Sequence, residues 1–549
     1  MLENNMENAE APERLVIYGG IGKCARNWES YHAIVEALLH LENDETLAIQ
    51  SGMPVAVFRT HRLAPRVVMA NTNIMKATWP IFYDLQDRNL TMFAQYTAGP
   101  WEYIGTQGVI QGTFETLGAI AQQHFGGSLV GKILLTAGLG GMGANQPRAM
   151  TMHGGVCIDV DANEAVIAKR LKIGFLDVQA ASLQEAVDLA RDAAAHKRPL
   201  GIGVHGNAAQ RFAQALEMGF RPDIVTEMCP CHDPISYIPE GYTPEEAAEF
   251  RRANRGEYLA AARESMKRQL RTMIAFHRQG VQVFEYGTSI RKECRDAGMP
   301  VDEAMLIPGF VAAYIRPLFC VGRGPFRWTC LSGEPRDLAV LDDLVLEMFP
   351  HDEVTSKWVR LAREHLPIEA LPARVCYLGF GERRAFGLAV NRLIRDGKVT
   401  GPVGFSRDNL DSGSIVNPTF ESEKMKDGSD LISDWPYLNA LLNTAAMADL
   451  VAIQANYSMG EAVHTGVTMI ADGSEEADLR LEACLTTDSG IGVVRHAQAG
   501  YEAARAAAEG RGPLTRERIH VPLWWSPQAT FGPEAGVAGR LGPHTREKL

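Results

Sequence analysis

Arg327, in the segment GPFRW, is suited to hold a carboxylate, because a guanidinium can meet both oxygens at once while the flanking Phe326 and Trp328 keep water off the contact. The same arginine could instead rest on those rings as a cation–π partner. Asp408, Asp411, Glu421 and Glu423 fall within SRDNLDSGSIVNPTFESEK and supply acid or base groups for proton transfer, although any one of them alone reads more simply as a surface carboxylate. Cys229, Cys231 and His232 sit together in EMCPCHDP. A C-x-C-H cluster can ligate zinc, but a structural zinc needs four ligands and no second cluster supplies them, so a loop bordering a ligand pocket is the larger reading and no metal is expected. Cys376 ends an apolar run just before Gly379 and Gly381. It is either buried filling or, since loops at strand ends form clefts, part of a site.

Such groups need a frame, and the clearest one is KILLTAGLGGMGANQPRAMTMHGGVCIDVD, residues 132–161. A short apolar run leads into Gly138, Gly140 and Gly143 in a G-x-G-x-x-G spacing and then into residues able to open a helix. Glycine permits the sharp turn and brings backbone N–H groups close to a pyrophosphate, while the helix N-terminus adds partial positive charge. A second apolar run, 156–160, ends in Asp161, placed to accept hydrogen bonds from a ribose diol, which favours NAD over NADP. The bland alternative is a glycine-rich turn between packed elements. LVIYGGIGKCARNW repeats the theme with Gly19 and Gly20 before a helix, and VAVFRTHRLAPRVVMAN reads as two strands around a turn bearing Arg59, His61 and Arg62.

The 549 residues exceed one simple core, so two or three domains are expected. A net charge of -12 argues against a nucleic-acid footprint. No apolar run approaches the length of a membrane span, the polar leader is not a secretory signal, and nine scattered cysteines suit a reducing cytoplasm better than a disulfide framework. Strand and helix alternate from about residue 104, as in a parallel sheet, with a break at the Pro- and Gly-rich 308–328. The expected organisation is a flexible tail at 1–13, an N-terminal part of a core domain at 14–103, a dinucleotide domain at 104–313, the C-terminal part of the core at 314–508, and an extended tail at 509–549.

Collinear motifs narrow this further. LPARVCYLG, with YGGIGKCARNW, QSGMPVAVFRTH, YIGTQGVIQGT, TAGLGGMGANQP, HGNAA, YIRPLF, GPFRW, LDSGS, DGSD and DWPYLNALLNTA, resembles the urocanase family, the hydratases of histidine breakdown, over about residues 14–508. The resemblance implies an α/β fold with a Rossmann-like NAD domain inserted in a larger α/β core domain, a homodimer, and one tightly held NAD+ per subunit that acts as an electrophile and is not consumed. It implies NAD contacts at Gly19, Gly20, Gln95, Gly141, Met142, Gly143, Asp161, Asn207, Ala208, Met228, Cys229, Pro230, Cys231, His232, Tyr237, Ile238, Tyr286 and Ser458. Cys376, Tyr18, His61 and Asp408 are the implied catalytic residues, and Arg327 the carboxylate holder.

The substrate side departs from the family. A His-His-Gly-Gly-Gly loop is replaced by QANYSMG (454–460), Arg-Asp-His by Arg407-Asp408-Asn409, and Pro-Asn-Arg-Glu-Thr by Pro418-Thr419-Phe420-Glu421-Ser422. A Gln-Thr-Ser-Ala-His segment is replaced by Met228-Cys229-Pro230-Cys231-His232. Loss of two histidines, an arginine and a glycine run, with gain of Phe420 and Tyr457, points to a changed ring substituent more than to lost catalysis. The substrate-binding set expected is Arg327, Phe420, Glu423, Asn409 and Tyr457, acting on a thio-, methylthio- or N-methyl-urocanate. The alternatives are a true urocanate hydratase, an NAD-dependent dehydrogenase, and an NAD-binding protein without activity.

Overall fold

The computed structural model describes residues 1–455 and 459–524. Residues 133–283 supply a six-stranded, all-parallel sheet in the order Gln282–Val283, Ile224–Val225, Ile133–Ala137, Val156–Asp161, Leu200–His205, Val178–Ala180. Its central strands are buried almost throughout, as parallel strands covered by helices on both faces must be. Helices Asn145–Met152, Glu164–Lys172, Leu183–Ala195 and Ala208–Glu217 make the crossovers. At Leu183–Ala195 the Ser182 hydroxyl caps the Glu185 N–H, and Glu185 reaches back to Ala181 N at 2.7 Å. The chain steps one way from Ile133–Ala137 to Val156–Asp161 and the other way to Ile224–Val225. The strand order therefore reverses beside Ile133–Ala137, and a ligand crevice is expected outside the C-terminal ends there.

A second, nine-stranded sheet runs Ala373–Leu378, Gly324–Cys330, Val403–Arg407, Val463–Ala471, Leu450–Gln454, Val67–Asn71, Glu45–Gln50, Met53–Arg59, with Ile415–Val416 paired beside Val463–Ala471. Val67–Asn71 lies parallel to both Leu450–Gln454 and Glu45–Gln50. Segments from the two ends of the chain thus share one sheet, and the parallel domain is an insertion between them. A π-helical turn, Val311–Ile315, ends that insertion. Phe326, Trp328, Phe386 and Phe405 pack around Gly324–Cys330, Phe326 stacking on Phe405 at 5.5 Å, which makes this strand a rigid mount for Arg327.

Residues 1–13, expected as a detached tail, are packed against the body. Leu2–Glu7 is helical, Asn5 donates its side-chain amide to Ala98 O at 3.1 Å, and Asn4 accepts from Leu371 N at 3.0 Å. The leader is anchored by these amide hydrogen bonds together with Leu2, Met1, Met6 and Ala9 packed into the N-terminal apolar cluster. At the other end, 511–524 has no helix or strand. It lies along the body, with Ile519 N donating to Ala508 O at 2.7 Å and the Arg505 guanidinium 4.8 Å from the Trp524 ring centre. The remainder of the expected C-terminal tail lies outside the described residues.

Candidate active site

A cavity of about 460 Å³ opens at the point where the parallel strand order reverses and extends to the large sheet. One half is walled by the glycine loop 138–143 and by the loop after Ile224–Val225, which carries Met228, Cys229, Pro230 and His232. The loops press together: a Cβ on Gly138, whose φ is +100°, would lie 2.5 Å from Met228 O, and one on Gly143 would lie 1.7 Å from Gly138 O. Asp161 stands at the rim, its carboxylate accepting from Leu139 N at 2.7 Å and Asn163 N at 2.8 Å. Burial raises its pKa, and these two N–H groups and Arg170 oppose the rise. Asn207 caps the helix Ala208–Glu217 and donates to Ile238 O at 2.9 Å, joining the two loops that carry them. Gln95 Oε1 is buried without a partner among the described residues. A cradle that added Cβ atoms would fill, an acid at its rim and an orphaned amide oxygen on its wall together fit a dinucleotide.

The other half holds groups for chemistry on a small acid. Arg327 projects from Gly324–Cys330, donates to Glu102 O at 3.1 Å, and forms an ion pair with Asp408, whose other oxygen accepts from Leu410 N at 3.1 Å. Gly108, in the first turn of the helix Gln107–His124, gives the guanidinium room: a Cβ there would be 3.1 Å from it. The Asp408 loop is fixed from behind by Arg407 on Asp488 and Thr465 O, and by a two-point contact of Arg383 on Asp411 at 2.7 and 3.0 Å. Tyr18 donates to Gln95 O at 2.8 Å and accepts from Thr97 N at 3.1 Å. Burial raises its pKa, so the phenol is neutral and holds Gln95 in place. Phe420 meets Phe310 at 5.2 Å between ring centres and covers Gly287, where a Cβ would lie 2.4 Å from the Phe420 ring. Tyr286, Tyr96 and Tyr377 complete an aromatic wall.

The cavity gathers Tyr18, Gly19, Gly20, Gln95, Gly141, Met142, Gly143, Asp161, Asn207, Ala208, Met228, Cys229, Pro230, His232, Tyr237, Ile238, Tyr286, Arg327, Asp408 and Phe420, all expected at the site. Several other expectations need correction. His61 follows the outermost strand, Met53–Arg59, and is exposed; Gly324–Cys330, which carries Arg327, is six strand spacings away, roughly 29 Å at about 4.8 Å each. Cys376 is fully buried, because side chains alternate along Ala373–Leu378 and it is Tyr377 that faces the cavity. Burial also raises its thiol pKa, which favours the protonated thiol. Cys231 turns into the core of the parallel domain. Glu423 is buried in an ion pair with Arg291 at 2.8 Å and accepts from Gly309 N at 2.7 Å. Asn409 is buried and donates to His464 Nδ1 at 3.0 Å, away from the cavity lining. Asp411, paired with Arg383, is no free acid. Tyr457 and Ser458 lie outside the described residues.

Two lining groups were missed or undervalued. Glu10 comes from the N-terminal segment: its carboxylate faces Gly141, where a Cβ would lie 2.1 Å away, and accepts from the N–H groups of Gly19 and Gly20. Nothing in an acidic leader signals this. Glu421 reads from sequence as a surface acid, yet it is buried in the cavity wall and accepts a hydrogen bond from Tyr96. Among the described residues no group of three or more His, Cys, Asp or Glu is arranged to hold a metal ion, and no helix is long and apolar enough to cross a membrane.

Three family models match the chain in succession between residues 1 and 510: urocanase N-terminal domain over residues 1–102, urocanase Rossmann-like domain over 105–314, and urocanase C-terminal domain over 317–510.

Proposed function

The chain belongs to the urocanase family, and on that premise we propose that it hydrates a modified urocanate, one whose imidazole ring carries a thiol, methylthio or N-methyl group, to an imidazolone-propionate-type product. Membership implies a hydro-lyase, and the Rossmann-like domain is consistent with NAD binding. The proposal extends to one tightly held NAD+ per subunit and to a cytoplasmic homodimer. The bound cofactor would supply an electrophilic nicotinamide carbon that is regenerated in each turnover.

The residues of the chain itself bind, orient and move protons. Arg327 offers its guanidinium to the acrylate carboxylate, in exchange for or alongside Asp408. Asp408, which lines the cavity and is released from part of that ion pair, takes a proton from the water that adds. Tyr18 holds the Gln95 main chain in the cavity wall through its hydrogen bond to the Gln95 carbonyl. The observation that carries the substrate reading is Phe420 in the cavity wall, next to Phe310 and with Tyr286 nearby. An aromatic wall favours a methyl group or a polarisable sulfur, and sulfur–aromatic contacts are worth about 0.3–1.5 kcal/mol.

The test is to denature the purified protein and measure released NAD+, then to supply acrylates of this series and follow the conjugated absorbance and product mass. The expected result is about one NAD+ per subunit, a product heavier by one water, and no accumulating NADH. Sustained NADH formation from an alcohol or hydroxy acid would instead establish a dehydrogenase.

A further inference from the structure

We propose that Glu421 is the proton donor of the hydration, a carboxylic acid kept protonated in the cavity wall with Tyr96 as its fixed hydrogen-bond partner. The inference rests on the hydratase reading of the same cavity. Glu421 is buried to 2% exposure, yet it lines the cavity. Its Oε1 accepts from the Tyr96 hydroxyl, while Oε2 is buried with no partner among the described residues. A buried carboxylate left with an empty oxygen and no cation is costly. The same group as an acid needs only an acceptor for its one proton, and the cavity provides the place for that acceptor.

The surroundings maintain this state. Among the described residues no arginine or lysine side chain bonds the Glu421 carboxyl; Arg316 donates instead to its backbone carbonyl at 3.0 Å, fixing the main chain. Asp408, which is paired with Arg327, and Glu285, which is paired with Arg291, act on it electrostatically. Both are acids and oppose a second negative charge. Burial raises the Glu421 pKa well above the ordinary carboxylate range, and the Tyr96 hydroxyl is the largest opposing influence. Tyr96 is itself fixed: its ring stacks on His464 at 5.1 Å, its carbonyl accepts from Gln454 at 2.8 Å, and its φ of 40° is in the left-handed region, which a non-glycine residue adopts only when its surroundings hold it there. Burial, with Arg407 nearby, lowers the pKa of His464 to about 3, so the ring is neutral and adds no charge.

In the reaction, the O–H bond of Glu421 breaks as a C–H bond forms at the acrylate carbon that gains hydrogen. The carboxylate left behind is reprotonated when the added water loses its proton, directly or through Asp408. Atoms and charge balance over the cycle with water as the only co-reactant.

The experiment pairs Glu421→Gln with Tyr96→Phe in the holoenzyme. Infrared difference spectra of wild type minus Glu421→Gln at neutral pH, without substrate, should show the carbonyl band of a carboxylic acid. A difference consisting only of ionised carboxylate bands overturns the proposal. On whichever acrylate the wild type hydrates, Glu421→Gln keeps the shape and the Tyr96 contact but cannot give up a proton, so kcat should fall roughly 10²–10⁴-fold with little change in KM. In wild type, activity is lost as pH rises through the Glu421 pKa. Tyr96→Phe removes the bond that favours ionisation, so the alkaline limb should move to higher pH, which a merely structural role for Tyr96 would not produce. An active wild type whose Glu421→Gln variant keeps its kcat and its alkaline limb overturns the proton donor alone. A wild type inert on every acrylate sinks the hydratase reading beneath it.

Discussion

Substituting Gly143 by alanine should damage the dinucleotide loop from within, whereas the same change at Gly140 should leave the loop intact. A Cβ on Gly143 would meet Gly138 O at 1.7 Å and the Met228 side chain at 3.0 Å, whereas a Cβ on Gly140 meets nothing within 4 Å and projects into the cavity. The first obstacle is backbone, which yields only if the turn opens. Overpacking of this kind costs about 1–3 kcal/mol, and for a domain of some 200 residues each kcal/mol lowers Tm by roughly 2–4 °C, so Gly143→Ala should melt roughly 2–12 °C below wild type. Gly140→Ala should keep the wild-type Tm once NAD+ is stripped from both, yet retain less NAD+ because its methyl occupies space a pyrophosphate needs. Calorimetry of the stripped proteins, with NAD+ released on denaturation measured on the untreated ones, separates the two effects. If Gly143→Ala melts with wild type, or if Gly140→Ala retains a full complement of NAD+, the loop is not the tight phosphate cradle described.

Asp161→Ala removes the acceptor of the Leu139 and Asn163 N–H groups and, on the proposed NAD+ reading, a ribose partner. NAD+ content should fall, and unchanged content would take Asp161 out of the site. Arg327→Lys keeps the charge but loses the planar fork, so KM for the acrylate should rise roughly 10–100-fold, equivalent to about 1.4–2.8 kcal/mol, in steady-state assays; an unchanged KM would leave the arginine only its ion pair with Asp408. His464 has a folded pKa of about 3 against about 6.5 unfolded, so the unfolded chain binds the extra proton between these values. Stability from this residue should therefore decline as pH falls through that window, by up to about 1.4 kcal/mol per pH unit, and His464→Gln should flatten the profile of Tm against pH. Coincident wild-type and variant profiles would refute that account.

The dinucleotide half of the site was legible because its requirements are local. Gly138 and Gly143 are dictated by contacts within one turn and the loop beside it, and Asp161 follows at the end of the next strand, so spacing alone locates them. The core surrounding it was less so. That Tyr377 and not Cys376 faces the cavity depends on the phase of a strand buried on both sides, which carries no polar alternation to read. His61 lies in the turn of VAVFRTHRLAPRVVMAN, which carries no signal that Met53–Arg59 is the outermost strand. Glu423 became half of an ion pair because Arg291, 132 residues away, meets it, and Glu421 became a site residue because Tyr96, 325 residues away, does. Such pairings are set by packing between segments far apart in the chain, Arg291 on a helix of the inserted domain and Tyr96 in a turn near the N-terminal part, and no local pattern announces them.

The most direct measurement is kcat/KM for urocanate, thiourocanate, S-methyl thiourocanate and the two N-methylurocanates, each followed by loss of the acrylate absorbance and by product mass. With Phe420 and its aromatic neighbours lining the cavity, the proposed reading has one of the modified substrates give the highest value, and plain urocanate should trail it by roughly 10–200-fold, the range that one apolar group in a pocket supports. If plain urocanate ranks first, the substrate assignment is contradicted.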